Sequence, residues 1–123
     1  MKLGDAFLMG SPGGSTKHLW ILISDPAAHY DHGIIVNLTT DRVRSGGECC
    51  LAIGDHQWLT ADCWVSYGDA RLIAPAQWRN IQYGVNQKLI ILQPSVSASV
   101  IARIIAAAKG STAFPPAFLK YLP

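Results

Sequence analysis

Hydrophobic residues along the first 73 positions of the chain form short runs, and glycine, proline, aspartate or serine separates one run from the next. Apolar runs of about four to eight residues, rich in β-branched side chains and bounded by turn residues, are typical of β-strands. The pattern therefore predicts about six strands between residues 5 and 73. They lie at residues 4–9, 17–24, 34–40 and 49–53, with two further short strands around Trp64 and Leu72.

The segments between these strands contain turn-forming residues. Residues 10–16, Gly-Ser-Pro-Gly-Gly-Ser-Thr, are rich in glycine and serine, and we predict a flexible loop there. Pro26 ends the second strand, because proline cannot donate to a strand ladder and restricts the residue before it. The near-continuous hydrophobicity of that strand indicates burial on both of its faces.

Two helices are predicted after residue 73, where the period of the pattern changes. Pro75 suits the first turn of a helix, and residues 76–83 form about two turns that end before Gly84. Ser97 can cap a longer helix over residues 98–109. The apolar positions of that helix form one stripe: Val100, Ile101, Ile104, Ile105 and Ala108.

Strands followed by helices predict an α+β fold in one domain that spans residues 1–123. We expect a small, strongly bent β-sheet or a small barrel, with the helices packed at one side or end. Residues 88–92 fit either a short edge strand or a buried connector, since periodicity does not separate the two. The apolar tail at residues 111–123 is expected to pack on its own domain, because monomers avoid exposed apolar patches.

Composition and charge narrow the classes of function. Half of the 123 residues are hydrophobic and 15% are charged, which excludes a disordered chain and suggests that a partner or a second copy covers part of the surface. The net charge of +2 lacks the clustered basic residues of a dedicated duplex-binding domain. No leader-like segment follows Met1 and no apolar run approaches membrane-spanning length, so we expect a cytoplasmic protein without membrane contact.

Thiol and metal chemistry have weaker support in the sequence. Cys49, Cys50 and Cys63 form an odd, closely spaced set, and we expect buried, reduced thiols. His29 and His32 form a His-x-x-His pair, but no cysteine motif accompanies it. A zinc site or a thiol enzyme is therefore a minor alternative.

Residues 54–73 contain the densest set of polar and aromatic groups in the chain, including Asp55, His56 and Asp69. Loops that lie on a strand scaffold are frequent positions of functional sites. Turn formation explains the same segment differently, because each of these two aspartates follows a glycine, and Gly-Asp pairs are common in turns. Both interpretations remain open at the level of sequence.

Several segments resemble one known family. The start Gly4-Asp5-Ala6-Phe7-Leu8, the glycine-rich loop, the apolar strand from Leu19 and the segment Ile-Val-Asn-Leu-Thr-Thr at 35–40 resemble the order of elements in PemK/MazF-type toxins of type II toxin-antitoxin modules. The resemblance covers about residues 4 to 110. It implies an SH3-like barrel closed by a C-terminal helix, cleavage of single-stranded RNA without a metal or another cofactor, a homodimer, and a cognate antitoxin protein as partner.

Two positions depart from the pattern of that family. The family has an arginine-proline pair at the start of its second strand, where this chain has Lys17 and His18. Lysine keeps the charge but lacks the planar fork that binds phosphate through two hydrogen bonds. A second arginine of the family's active members has no clear counterpart, since Arg71 lies past the expected position.

Metal-free RNA cleavage needs a base for the ribose 2′-hydroxyl, charge stabilisation at the phosphate and a proton for the leaving 5′-oxygen. His18 and His56 are the candidates for proton transfer, because imidazole titrates near neutral pH. Lys17 and Thr39 are the candidates for holding the phosphate. Asp69 is the candidate for orienting a histidine or for acting as the base. These five residues form the predicted catalytic set.

Each of the five residues also has a structural explanation, as a strand end, a turn residue or ordinary surface charge. A non-catalytic SH3-like interaction module that binds a protein or nucleic acid is therefore the alternative function. The two hypotheses differ in whether the five residues meet at one phosphate-sized hollow.

Overall fold

The computed structural model of the chain describes residues 1–10 and 16–123. Six strands are present in this part: β1 Ala6–Gly10, β2 Lys17–Leu22, β3 Gly33–Thr39, β4 Cys50–Leu51, β5 Cys63–Ile73 and β6 Ile91–Gln93. The α-helices are α1 Arg42–Ser45, α2 Pro75–Asn86 and α3 Ala98–Gly110, and short 3-10 helices lie at Pro26–Ala28 and Pro116–Tyr121. The loop predicted at residues 10–16 falls mainly on residues 11–15, outside the described residues.

The strands form one antiparallel sheet with the order β4-β5-β3-β2-β1-β6. The sheet curls strongly into a half-barrel, which confirms the predicted α+β class and the bent sheet. Its two edges approach each other, because His56 in the loop after β4 is hydrogen-bonded to Pro94, just after β6.

The two faces of the sheet bury different side chains. The α3 face, as we call it, has a core of strand and helix residues that includes Leu19, Ile21, Val36, Leu38, Val65, Ile101 and Ile104. The opposite face, which we call the α2 face, has a smaller core of Phe7, Trp20, Leu22, Ile35, Ile73 and Ile81. Successive residues of a strand point to opposite faces. The presence of a core on each face therefore explains why β2 is hydrophobic almost without interruption.

Both long helices begin where the sequence predicts. Pro75 is the first residue of α2, and the Gln77 side chain accepts a hydrogen bond from the Ala74 N–H at 2.7 Å. Ser97 caps α3 by accepting from the Val100 N–H at 3.4 Å. Within the described ranges, no helix has the length and apolarity needed to cross a membrane.

The sequence predicts that helix α2 ends before Gly84, but the helix continues to Asn86. Gly84 is buried, and a Cβ atom added to it would lie 2.7 Å from the Ile90 Cδ1 atom. The glycine therefore allows a close approach between the helix and the segment that follows it. Residues 88–92 fit either an edge strand or a connector in the sequence. In the structure the connector comes first, and β6 begins at Ile91.

The polar segment before α2 forms a single strand, β5, where two short strands were predicted. This strand bends at a register shift against β3. The partners are Ser66 with Asn37 on one side of the shift and Arg71 with Ile35 on the other. Between these pairs, residues 67–70 of β5 oppose the single residue 36 of β3, which is an extended bulge. The bend separates the two apolar ends of β5, which in the sequence look like two elements.

The C-terminal tail packs on the domain, as the sequence predicts. Phe114 is buried in the core of the α3 face, and Phe118, Tyr121 and Leu122 pack at the edge of that core. The rings of Phe114 and Tyr67 meet edge to face, with centroids 6.1 Å apart. The tail therefore extends the cover that α3 provides over this face.

Tyr67 joins β5 to α3, because its buried hydroxyl donates to the Ile104 carbonyl at 2.7 Å. We predict that Tyr67→Phe lowers the free energy of unfolding by about 1 kcal/mol, since it removes one buried hydrogen bond and keeps the ring. Urea unfolding followed by circular dichroism measures the change. The control is Tyr83→Phe, because Tyr83 is 63% exposed. This substitution should change the free energy of unfolding by less than about 0.5 kcal/mol. Equal losses in the two variants would contradict a stabilising role of the Tyr67 hydroxyl.

Candidate functional site

A group of polar side chains lies on the α2 face over β2, β3 and β5. We call this group the polar patch, and its members are His18, Asn37, Thr39, Ser66, Asp69 and Arg71. Trp20 pairs with Asn37, and Asn37 pairs with Ser66, so these three residues form one row across the sheet. Side chains two residues apart on a strand share a face, which places His18 next to Trp20 and Thr39 next to Asn37.

The backbone holds His18 in one tautomer. Its Nδ1 atom lies 3.2 Å from the carbonyl oxygen of Leu38. A carbonyl oxygen only accepts, so Nδ1 bears the hydrogen, and Nε2 of the neutral ring can accept a proton. The ring is part-buried, and its reactive nitrogen is therefore defined by the strand geometry.

Thr39 ends β3 with a hydroxyl of fixed orientation. Its Oγ1 atom accepts a hydrogen bond from the Asp41 N–H at 3.1 Å. The hydroxyl hydrogen is therefore free to donate to a ligand on the patch.

Asp69 is bonded to its neighbours in the patch. The Ser66 hydroxyl donates to its Oδ2 atom at 2.7 Å, and the Arg44 Nη2 atom lies 3.5 Å from the same oxygen. The ion pair is solvent-exposed, with 61% of the arginine side chain accessible, so it adds little stability. Its consequence is positional, since it brings Arg44 of α1 to the border of the patch.

Arg71 is a functional candidate that the sequence analysis did not place. Its guanidinium carbon lies 4.5 Å from the centroid of the Trp20 ring, in the range of a cation–π contact. Ion pairs in the described part of the chain involve Arg44 and Arg103, and neither of their carboxylates pairs with Arg71. The N–H donors of Arg71 are therefore available to an anion.

The bulge in β5 explains why sequence reasoning missed this residue. In a regular ladder, Arg71 would lie five residues beyond Ser66, which shares a row with Trp20 through Asn37. The surplus residues 67–70 leave the ladder and return Arg71 to the row of Ile35, from which its side chain reaches the Trp20 ring. Periodicity does not reveal the length of a bulge, so the sequence offers no signal for this position.

Asn37 lies at the centre of the patch and is 5% exposed. Its Oδ1 atom has no hydrogen-bond partner among the described residues. An unpaired buried acceptor costs about 1–3 kcal/mol. An unpaired buried atom in a native structure needs an explanation, and a functional role is one possible explanation.

The structure brings His18, Thr39 and Asp69 of the predicted set together and places the other two residues elsewhere. Lys17 is exposed at the start of β2. Alternation along the strand directs its side chain to the opposite face from His18. His56 lies in the loop between β4 and β5 and is 7% exposed.

Both ring nitrogens of His56 are bonded to the backbone. The Trp58 N–H donates to Nδ1 at 3.0 Å, and Nε2 lies 2.7 Å from the Pro94 carbonyl, to which it donates. This pattern requires the neutral ring and leaves neither nitrogen free for a ligand. We call the contact between His56 and Pro94 the edge clasp, because it joins the two edges of the curled sheet.

A second contact beside the edge clasp joins the same loop to α3. Asp55 accepts from the Ala52 N–H at 2.8 Å, as expected for a turn, and also faces Arg103, with Nη2 3.2 Å from its Oδ2 atom. The Arg103 guanidinium, together with the Ala52 N–H, holds the pKa of Asp55 below its usual value. The ionised carboxylate is therefore stabilised in the folded state.

The three cysteines are free thiols. Cys49 and Cys63 are buried as predicted, and burial raises the pKa of both. Cys50 is exposed, contrary to the prediction, because β4 is a short edge strand in which Leu51 takes the inward position. Over residues 1–10 and 16–123, no group of three or more His, Cys, Asp and Glu side chains is arranged to hold a metal ion.

Comparison with known proteins adds no assignment to this geometry. No family model matches the chain, and a search of curated proteins finds no match.

The Asp55 contact predicts a pH-dependent contribution to stability. Asp55→Asn should lower the free energy of unfolding by about 0.5–1 kcal/mol at pH 7, since the ion pair is partly exposed. The ordinary pKa of an aspartate is 3.8, and in the folded state the pKa of Asp55 lies below that value. The contribution is therefore present above that value and is lost as the pH falls through the folded-state pKa.

Urea unfolding of the parent protein and of Asp55→Asn, from pH 7 down to acidic pH, measures the difference in their free energies of unfolding. This difference should vanish at acidic pH. Asp62→Asn changes an exposed carboxylate in the same loop and serves as the control. A difference that stays constant with pH would be inconsistent with ionised Asp55 as its source.

Proposed function

We propose that the protein is a toxin-like endoribonuclease that cleaves single-stranded RNA on the polar patch without a metal. The main support is the combination of an available cation and an oriented histidine on one face. Arg71 lies over Trp20, and His18 is the next residue on that face of β2. Residues two apart on a strand are separated by about 7 Å. A phosphate bound by Arg71 would therefore place an adjacent ribose within reach of His18.

Arg71 and Thr39 hold the phosphate in this proposal. The planar guanidinium offers two parallel N–H donors to phosphate oxygens, and the free hydroxyl hydrogen of Thr39 adds a third donor. These groups stabilise the charge that develops on the phosphate oxygens in the transition state. Arg71 thus supplies on this face the planar fork that Lys17 lacks.

His18 acts as the base. Its Nε2 atom takes the proton of the ribose 2′-hydroxyl, and the 2′-oxygen then bonds to phosphorus. The bond from phosphorus to the 5′-oxygen breaks, and this oxygen takes a proton from solvent, which leaves a 2′,3′-cyclic phosphate and a 5′-hydroxyl. Asp69 serves as a positioning residue, because it already accepts from Ser66 and faces Arg44.

The resemblance to PemK/MazF-type toxins adds two partners to the proposal. A cognate antitoxin would cover the polar patch with an acidic segment that complements Arg44 and Arg71. A second copy would pack at the edge strand β6 and the connector before it, where Leu89, Ile91 and Leu92 are 65%, 43% and 56% exposed. Apolar edge strands are typical positions of interfaces. We also propose a cytoplasmic location, because the proposed substrate, single-stranded RNA, is present there.

A non-catalytic module that binds RNA through the same patch is the second candidate. The observation that favours it is the position of His56, whose ring nitrogens are both hydrogen-bonded to the backbone. The patch then contains one histidine, and the leaving oxygen has no protein acid. Such a module would bind RNA through Arg71 and release it uncut.

Cleavage of a mixed-sequence single-stranded RNA in EDTA distinguishes the two functions. We predict cleavage by the parent protein, with cyclic phosphate ends, and a rate about 10²- to 10⁴-fold lower in His18→Ala. Denaturing gels and end-group analysis measure both. The matched control is His32→Ala, because the Nδ1 atom of His32 also lies 3.0 Å from a backbone carbonyl, that of Tyr30, in an exposed turn.

Two results would argue against the nuclease. Intact RNA that is bound but not cut by the parent protein would favour the binding module. Equal loss of rate in the His18 and His32 variants would exclude His18 as the specific base.

Arg71→Lys tests the phosphate site separately from the chemistry. The variant keeps the charge and loses the planar fork, so we predict RNA binding about tenfold weaker. Fluorescence polarisation of labelled RNA at one fixed salt concentration measures the affinity. Arg79→Lys makes the same change at an exposed position of α2 and should bind RNA like the parent. Unchanged affinity in Arg71→Lys would remove Arg71 from the phosphate site.

A further inference from the structure

A cavity of about 400 Å³ lies between α2 and the loop that joins β2 to β3. A volume of this size is in the range of sites that bind small molecules. None of the residues in its wall belongs to the polar patch. The cavity is therefore a separate site, and the proposed cleavage of RNA leaves it without a role.

The cavity has an apolar floor and a polar rim. Pro26 and Ile81 are buried, and Trp78 is half-buried beside them. Asp31 and Arg79 are exposed in the same wall. This division is typical of ligand sites, in which apolar surface provides most of the contact and a few polar groups fix the orientation.

A glycine lets the Trp78 indole pack directly on β3. A Cβ atom added to Gly33 would lie 2.9 Å from the Trp78 Cζ2 atom, so a larger residue there would obstruct the ring. The buried Nε1 atom of Trp78 has no hydrogen-bond partner among the described residues. An unpaired buried donor is costly. A small rotation of the ring toward the cavity would let a ligand oxygen accept from it.

A strained turn positions the rim on the other side of the cavity. Tyr30 and Asp31 have positive φ angles of 51° and 62°, and a bulky residue such as tyrosine is unfavourable there. The His32 N–H donates to the His29 carbonyl at 3.0 Å and closes the turn. The Asp31 N–H donates to the Pro26 carbonyl at 2.9 Å, which holds Asp31 at the cavity. Strained residues of this kind are frequent at ligand clamps.

Two opposite charges in the wall have no partner in the described part of the chain. Asp31 and Arg79 line the same cavity, and neither forms an ion pair with another described residue. A small molecule that carries both an ammonium group and a carboxylate would satisfy the two side chains. Gln82 adds an acceptor to this wall, because its amino group already donates to Asn86 at 3.0 Å and its carbonyl oxygen remains.

We propose that this cavity binds a free α-amino acid with a large apolar side chain. The Arg79 guanidinium binds the carboxylate of the ligand, and the Asp31 carboxylate binds its ammonium group. The apolar side chain of the ligand lies on Trp78 and Ile81. This site and the proposed cleavage of RNA are independent, and each can exist without the other.

Calorimetry of the full chain with phenylalanine and two of its analogues tests the ligand class. Phenethylamine lacks the carboxylate, and 3-phenylpropionate lacks the ammonium group. Phenylalanine should bind with a dissociation constant below about 1 mM, and each analogue should bind about tenfold more weakly. Equal or tighter binding of either analogue would overturn the assignment to an amino acid. Absence of binding by phenylalanine would overturn the site itself.

Two charge variants test the position of the ligand. Asp31→Asn should weaken the binding of phenylalanine about tenfold, and Arg79→Gln should do the same. Asparagine tolerates a positive φ as aspartate does, and both positions are exposed, so the variants should fold like the parent protein, which circular dichroism checks. Unchanged affinity in both variants would overturn the proposed site.

The matched controls are Asp62→Asn and Lys88→Gln. They remove the same charges at exposed positions outside the cavity wall. Both should bind phenylalanine like the parent protein. A loss of affinity in these controls equal to that in the Asp31 and Arg79 variants would exclude the cavity as the binding site.

Discussion

Strand β5 must pair with β3 on both sides of a segment in which the two strands have different numbers of residues. Residues 67–70 of β5 face the single residue 36 of β3. A surplus of this size cannot stay in a flat ladder, so the strand bends and its twist increases. Tyr67 lies on the α3 face by ordinary alternation after Ser66, and the bulge then returns the Arg71 guanidinium to the Trp20 ring on the α2 face. One pairing constraint thus supports both the curl of the sheet and the cation of the polar patch.

The polar patch depends on the fixed position of Trp20 as much as on the charge of Arg71. Trp20 is fully buried, and its indole N–H donates to the Met9 carbonyl at 3.2 Å. The ring under the guanidinium therefore cannot turn away. A stacked arginine loses less conformational freedom when it binds an anion than a free side chain does. Lys17, exposed at the start of its strand, has no such support.

Local patterns predicted the elements that depend on local chemistry. The start of α2 at Pro75 and the cap of α3 at Ser97 follow from residue types that favour these positions. Gly84 shows the limit of such signals, since a glycine indicates a helix end or a close approach, and only the packing of Ile90 decides between them. The bend within β5 was likewise invisible, because an apolar pair at each end of one strand looks like two strands.

The candidate site was predictable only where it depends on strand ends. His18 and Thr39 lie on one face because β2 and β3 run side by side, and both strands are evident from their hydrophobicity. Arg71 joins them through a bulge whose length has no sequence signal. His56 is separated from its partner Pro94 by 38 residues, and a contact of this range depends on closure of the whole sheet. Register and closure are tertiary properties, and periodicity reports neither.

The order in which these contacts become possible has a consequence for synthesis of the protein. Every member of the polar patch precedes residue 72, but the opposite face of the same sheet is covered by α3 and Phe114, which are made later. His56 likewise meets Pro94 only after β6 has been made. Because a domain folds as a unit, a nascent chain contains the patch residues without the sheet that aligns them. The aligned polar patch therefore exists only after residues 98–114, which cover the other face of the sheet, have been made.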